Sequence, residues 1–354
     1  MHVPLILLLS LSASLTGCTE STSVPGSDGL ESLLIQAEDG VQIHLHHLPG
    51  SQGPPVLMVH GVSSNHHSFR LSDGRGYAEA ALAAGLDPWL LDLRGRGRDR
   101  GDPSAGWLQG NAGDLDDYAA LDLPAAIAEI QRQTGAEDVG YIGHSMGGMV
   151  GAIYLATTPE PPLYAFVALG SPVAFDRLDP LNRAAMAAAR HSPLPWVDSE
   201  LGGQLRAQIG GSPLTPVDAF VDKHLFNDIA PEQRPTLYAE LSSPMTRGEM
   251  RHLGQLAESG GLGSADGTQD HLAPLADVRL PAQVWAGAAD LVAPPWQVQP
   301  MADHLGQASY VLAGTESGFA VDYGHLDLIL GDNAANEVYP MLNTFLLQAS
   351  HAAR

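Results

Sequence analysis

Ser145 is the residue of this chain best placed to do covalent chemistry. It stands in Gly143-His144-Ser145-Met146-Gly147, a G-x-S-x-G pattern. Val139-Gly140-Tyr141-Ile142 before it reads as a buried strand, and Met149–Leu155 after it reads as an apolar helix. A serine on a sharp strand-to-helix turn holds its hydroxyl above the sheet edge, where it can attack a carbonyl carbon. Gly143 and Gly147 stand two residues either side, where a Cβ would crowd the turn. A glycine-rich helix start with an incidental serine is the bland alternative, and the flanking strand and helix weigh against it.

A serine hydroxyl needs a base to take its proton and an acid to orient that base. On a turn of this kind they follow in the chain order Ser, Asp or Glu, His. With 15 histidines in the chain, position has to choose. Pro281–Ala286 reads as a strand, and Asp290 follows its C-terminal end, where parallel sheets carry their functional groups. His325 lies in the loop Asp322–Asp327, ahead of a last apolar helix at Asn333–Leu347. His325 is the preferred base and Asp290 the preferred acid. Asp176, after the strand Ala165–Leu169, is an alternative acid, whereas Asp322 and Asp327 stand too near His325 in sequence to orient it. His144 is expected to pack away from the serine hydroxyl, and His60 to order its own loop. A developing oxyanion needs two backbone N–H donors. Met146, after the nucleophile, supplies one. Val62, in the loop His60-Gly61-Val62 after the strand Pro55–Val59, supplies the other.

These side chains need a frame that brings strand ends together. Strands are expected at Leu33–Ala37, Val41–Leu48, Val56–Val59, Asp87–Leu91, Val139–Ile142, Ala165–Leu169, Ala282–Trp285 and Ser309–Leu312. Helices are expected at Tyr77–Ala84, Asp114–Thr134, Met146–Thr157, Pro295–Leu305 and Asn333–Leu347. The alternation gives an α/β chain with an eight-stranded, mostly parallel, doubly wound sheet whose first strands are antiparallel. It stops between Val173 and Leu272, where Ala184–Arg190, Leu201–Ile209, Val217–Leu225 and Met245–Ala257 read as helices. The organisation is therefore a core at 31–172 and 273–354 and a helical cap inserted at 173–272.

Residues 1–17 have the length and apolarity of a signal peptide, ending in Leu15-Thr16-Gly17-Cys18. That ending resembles the bacterial lipoprotein signal, which makes Cys18 a lipidated first residue facing the cell envelope, with 18–30 as a flexible tether. A plain secretory signal with a chance cysteine is the alternative and gives a secreted protein. Cys18 is the one cysteine in 354 residues, so no disulfide forms within the chain. The net charge of −23, with Lys223 the one lysine, argues against nucleic acid as a partner. The run Arg94–Arg100 is interleaved with Asp92, Asp99 and Asp102 and reads as a salt-bridged loop. His44, His46 and His47 lack an evident carboxylate or cysteine partner and read as an exposed strand face, so no metal is expected.

The chain resembles a known family along much of its length. Glu38-Asp39-Gly40, Pro54–Gly61, Leu90–Gly97, Tyr118–Thr134 with Asp122-Leu123-Pro124-Ala125, Asp290, and His325-Leu326-Asp327 are similar to segments of the acid lipases of gastric and lysosomal type and their bacterial relatives, within the α/β-hydrolases. The resemblance covers most of 31–172 and 273–354. It implies an α/β-hydrolase fold, with Ser145 as nucleophile, Asp290 as acid, His325 as base, and Val62 and Met146 as oxyanion donors. It also implies a carboxylic ester hydrolase acting on a small-molecule or lipid ester through an acyl-enzyme, with no cofactor. Met146-Gly147-Gly148 departs from the Gln-Gly-Thr of the acid lipases, and their animal disulfide cannot form here. An acyltransferase or perhydrolase would use the same three residues. A lipid-anchored binding protein on a retired hydrolase fold would be expected to lack one of them. Epoxide hydrolases and dehalogenases carry Asp where this chain has Ser145.

Overall fold

The apolar runs fold as strands β1 (Val24–Pro25), β2 (Glu31–Gln36), β3 (Gln42–His47), β4 (Pro55–Val59), β5 (Asp87–Asp92), β6 (Val139–His144), β7 (Leu163–Leu169), β10 (Ala282–Gly287) and β11 (Ala308–Ala313). In this computed structural model the described residues are 24–25, 29–96, 113–178 and 225–353, with 183, 184, 186, 190, 191, 196, 197, 199–211 and 222. The expected signal peptide, Cys18 and most of the tether lie outside them, as do most of the helices expected at 184–190 and 217–225.

The nine strands form one sheet in the order β1-β2-β3-β5-β4-β6-β7-β10-β11. The three pairings from β1 to β5 are antiparallel, and those from β5 to β11 are parallel. All eight expected strands are present. The ninth, β1, falls in the stretch expected as tether and pairs Val24 with Ser32 at the sheet edge. An edge tolerates Pro25, which has no N–H to offer a further neighbour.

β4, β5, β6 and β7 are buried along their whole lengths, as strands covered on both faces must be. Their alternation splits the core in two. Leu57 and Val59 join the cluster under α3 (Leu123–Thr134) and α4 (Met146–Thr157), while Val56 and Met58 join that under α1 (Tyr77–Ala83) and the C-terminal α10 (Ala334–Ala352). α4 buries every residue from Met146 to Leu155, so its apolar run suits a helix packed on all sides. α3 is reached through α2 (Leu115–Asp117) and a π-helical turn, Tyr118–Asp122. α8 (Pro295–His304) and the short α9 (Asp327–Leu330) complete the core.

The insertion contains α5 (Ser199–Gln208), α6 (Arg234–Leu241), α7 (Arg247–Ser259) and a two-stranded ribbon of β8 (Trp196–Val197) with β9 (Met245–Thr246). Met245 thus belongs to a strand, not to the start of a helix. α7 begins two residues later, where Thr246 and Glu249 form a reciprocal capping box. The insertion is tied to the core loops. The Ser243 N–H donates to the Ser63 carbonyl at 3.0 Å, and Asn65 Nδ2 donates to the Glu240 carbonyl at 2.8 Å. Arg96 donates to the Pro244 carbonyl and pairs with Glu249.

Of the expectations about charged residues, one holds and one needs correction. The described part of the arginine run is salt-bridged: Arg94 pairs with Asp122 and Asp39, and Arg96 with Glu249. Asp99, Asp102, Arg98 and Arg100 lie outside the described residues. Asp92 is instead held by His46 Nε2 at 3.1 Å and His66 Nδ1 at 2.9 Å. His46 is buried, so it does not belong to an exposed strand face: the His66 ring packs on it with centroids 3.9 Å apart, and Ser32 and Asp92 bond its two nitrogens.

Candidate active site

Ser145 sits between β6 and α4 with φ 53° and ψ −119°, a strained conformation for a residue with a Cβ. Its own N–H donates to the Leu169 carbonyl at 2.8 Å, which pins the turn to β7. The turn leaves no room beside it. A Cβ on Gly143 would stand 2.4 Å from the Gly147 carbonyl carbon, and one on Gly147 would stand 2.1 Å from the Val59 carbonyl oxygen. Glycine at these two positions is a steric requirement of the turn.

Asp290 lies in the turn after β10 and is fully buried. Its Oδ1 accepts from the Val292 and Ala293 N–H groups at 2.9 and 2.8 Å, and its Oδ2 lies 2.7 Å from His325 Nδ1. The carboxylate accepts, so Nδ1 carries the ring proton and Nε2 keeps a free lone pair. Asp176, the alternative acid, is not at His325. Its carboxylate is largely exposed and lies 3.9 Å from Arg177. Ser145 and His325 line one cavity, but no hydrogen bond joins the Ser145 hydroxyl to His325. Such bonds tighten when substrate arrives.

The loop carrying His325 is itself held by buried Asp327. One Asp327 oxygen accepts from the N–H groups of Gly324 at 2.6 Å, Asn227 at 2.9 Å and Asp228 at 3.0 Å. Burial outweighs these bonds and pushes its carboxyl up to about 6. His144 is buried, as a packed side chain should be, and it packs beside the site. It lines the cavity and donates from Nε2 to the His325 carbonyl at 3.0 Å. Burial, reinforced by the neighbouring His325, holds the His144 imidazole well below its ordinary range, so it stays neutral.

Neither the Val62 nor the Met146 N–H donates a hydrogen bond among the described residues. Gly61 brings the Val62 loop against the serine: a Cβ there would lie 3.1 Å from Ser145 Cβ. His60 fixes that loop. Nδ1 donates to the Gly61 carbonyl at 2.8 Å, and Nε2 accepts the Leu93 N–H at 3.2 Å. Both bonds need a neutral ring, and burial and the nearby Arg96 push its pKa down to about 3.

The cavity holds about 360 Å³. Its far wall comes from the insertion: Gly203, Arg206, Leu225, Phe226, Leu237, Tyr238, Leu241 and Ser242. The sequence marks a helical cap here but singles out none of these residues as a wall, since Leu225, Phe226, Leu237 and Leu241 carry no local signature of a site. Arg206 is buried in that wall, bonded to Asp222 and stacked over the Tyr238 ring.

The chain belongs to the alpha/beta hydrolase fold family, whose model matches residues 54–332. Within that family its likeness runs to lipases and esterases. It is 34% identical over 159 residues to human lysosomal acid lipase/cholesteryl ester hydrolase, a match spanning 41% of this chain and only 39% of that lipase. It is 27% identical over 347 residues to rat gastric triacylglycerol lipase, across 86% of this chain and 85% of that one. A thermophilic esterase from Thermogutta terrifontis shares the fold, with a TM-score of 0.57 and 17% identity over 90% of this chain and 99% of its own.

Proposed function

We propose that the protein is a serine-dependent carboxylic ester hydrolase, working through an acyl-enzyme on Ser145. The observation that carries this reading is the Asp290–His325 pair at 2.7 Å, whose histidine lines one cavity with the strained Ser145. Ser145 Oγ attacks the ester carbonyl carbon while His325 Nε2 takes its proton. Asp290 holds the ring in the tautomer that can do this and stabilises the imidazolium. The oxyanion is met by the Val62 and Met146 N–H groups. His325 returns the proton to the departing alcohol, and the serine keeps the acyl group. Water, deprotonated by His325, then attacks the acyl carbon, releases the acid and restores Ser145.

The mostly apolar cavity favours an ester whose acyl or alcohol part is a hydrocarbon group, in keeping with the lipases it resembles. The protein acts at the bacterial cell envelope, anchored through an acylated Cys18; the support is the lipoprotein-like Leu15-Thr16-Gly17-Cys18. Among the described residues no helix is long and apolar enough to cross a membrane.

The test is a fluorophosphonate probe with a panel of nitrophenyl esters of increasing chain length. Wild type is expected to be labelled once and to turn over esters, and Ser145→Ala to lose both. Undiminished labelling of Ser145→Ala would falsify the nucleophile. Labelling without turnover of any ester would point to a retired or acyl-transferring protein instead.

A further inference from the structure

Away from the cavity, Asp114, Asp116 and His252 bring one imidazole nitrogen and two carboxylates together, all within 4.8 Å of one another. Asp114 and Asp116 lie where the core chain enters α2, and His252 lies on α7 of the insertion. None of the three lines the cavity that Ser145 shares with His325.

The His252 side chain is fully buried, and its two nitrogens are in different situations. Nε2 lies 2.8 Å from the Gly263 carbonyl and must donate to it. In the neutral ring that leaves Nδ1 as a bare lone pair. It has no hydrogen-bond partner, and it faces Asp114 Oδ1 at 3.7 Å. That distance is too long for a hydrogen bond. The Asp114 side chain is 26% exposed, and two acceptors facing each other at the edge of a buried space repel unless something positive, a proton on the ring or a bound cation, lies between them.

We propose that Asp114, Asp116 and His252 bind one divalent metal ion of the zinc class, which ties the inserted segment to the core. Atoms bound at roughly 2.0–2.2 Å to a tetrahedral or more open centre stand about 3.3–3.8 Å apart, the range in which Nδ1 and Oδ1 are found. The surroundings orient the ligands as metal sites do. The far nitrogen of His252 is fixed on a backbone carbonyl. Asp116 Oδ1 lies 3.1 Å from His271 Nε2, and its Oδ2 accepts the Ala265 N–H at 2.8 Å. Asp114 Oδ1 accepts the Asp116 N–H at 2.9 Å. An imidazole beside two carboxylates suits zinc better than calcium or magnesium, which prefer oxygen alone.

A second trio, His46, His66 and Asp92, looks similar but differs where it matters. Both of its imidazoles lie at hydrogen-bond distance from Asp92 Oδ2, so no ring nitrogen facing that carboxylate is left without a partner. The sequence reading expected no metal, because Asp114 and Asp116 stand far from His252 along the chain and no ligand spacing marks them.

The test uses the full chain, stripped with chelator and titrated with Zn²⁺ by calorimetry, with Co²⁺ as an absorbing probe of the ligand field. One Zn²⁺ per chain is expected, together with a rise in Tm and cobalt bands showing nitrogen and oxygen ligands. Asp116→Asn and His252→Gln are each expected to weaken that binding by at least about tenfold and to abolish the Tm rise. His46→Gln is expected to leave both unchanged. If either ligand variant fails to fold, the other carries the test, and the cobalt spectrum of wild type is read beside it. No binding at 100-fold excess over protein would overturn the proposal. So would binding that follows His46→Gln, or a Ca²⁺-selective site. Because the ligands lie outside the cavity, ester turnover is expected to survive chelator, so failure here leaves the hydrolase reading standing.

Discussion

His325 can act as a base only if its proton stays on the nitrogen that faces Asp290. Asp290→Asn keeps the shape of the side chain and removes the charge that selects this tautomer. It is expected to lower kcat by a factor on the order of 10³–10⁴, with the fold intact by circular dichroism and KM changed far less. His60 gives a residue-scale prediction about stability. Its folded pKa of about 3 lies below the ordinary 6.5, so the neutral ring contributes stability that is complete above pH 6.5 and is lost as pH falls towards 3. Asp122 and Asp327, both raised to about 6 by burial, act with the opposite sign: their contribution is full below about pH 4 and is lost as pH rises through 6. His60→Asn is therefore expected to show a shallower fall of Tm between pH 6.5 and 4 than wild type. An unchanged slope in differential scanning calorimetry would mean that the ring is not held neutral. Ser145, Gly143 and Gly147 are legible in the sequence because the turn constrains adjacent residues. The partnership of His144 with the His325 carbonyl is not, because it joins positions 181 apart.

The element most exposed to a single change is α7, through the ion pair of Glu249 with Arg96. Both side chains are fully buried, so removing one strands the other charge away from water. Glu249→Ala is expected to destabilise the protein by about 3–5 kcal/mol in urea unfolding, and replacing both partners with apolar residues to recover part of that loss. A Glu249→Ala loss below about 1 kcal/mol would show that Arg96 finds another acceptor. The core elements are visible in the sequence because strand and helix periods are local. The insertion is less so. α6 carries Pro235 in its first turn, a position where proline is tolerated, yet the residue reads in isolation as a breaker. β9 exists only because Met245 and Thr246 meet Trp196 and Val197 across the ribbon, a pairing with no local sign.

For the molecule as a whole, the proposed acyl anchor at Cys18 and the hydrolase core are separable. Cys18→Ser is expected to move the protein from the membrane fraction to the soluble fraction while its turnover of soluble esters stays unchanged. Mass spectrometry of the N-terminal peptide checks the acyl group directly, and an unmodified N-terminus at another residue would mean a secreted enzyme. The order of the chain has a consequence in time. Ser145 leaves the ribosome early, whereas Asp290 follows β10 and His325 follows β11, the strand that closes one edge of the sheet. A growing chain therefore carries a serine hydroxyl with no base beside it, and a strained turn with no β10 against β7. On the proposed mechanism, the cell's own esters would meet an inert polypeptide throughout synthesis, and reactivity would switch on only once the C-terminal stretch has emerged and docked.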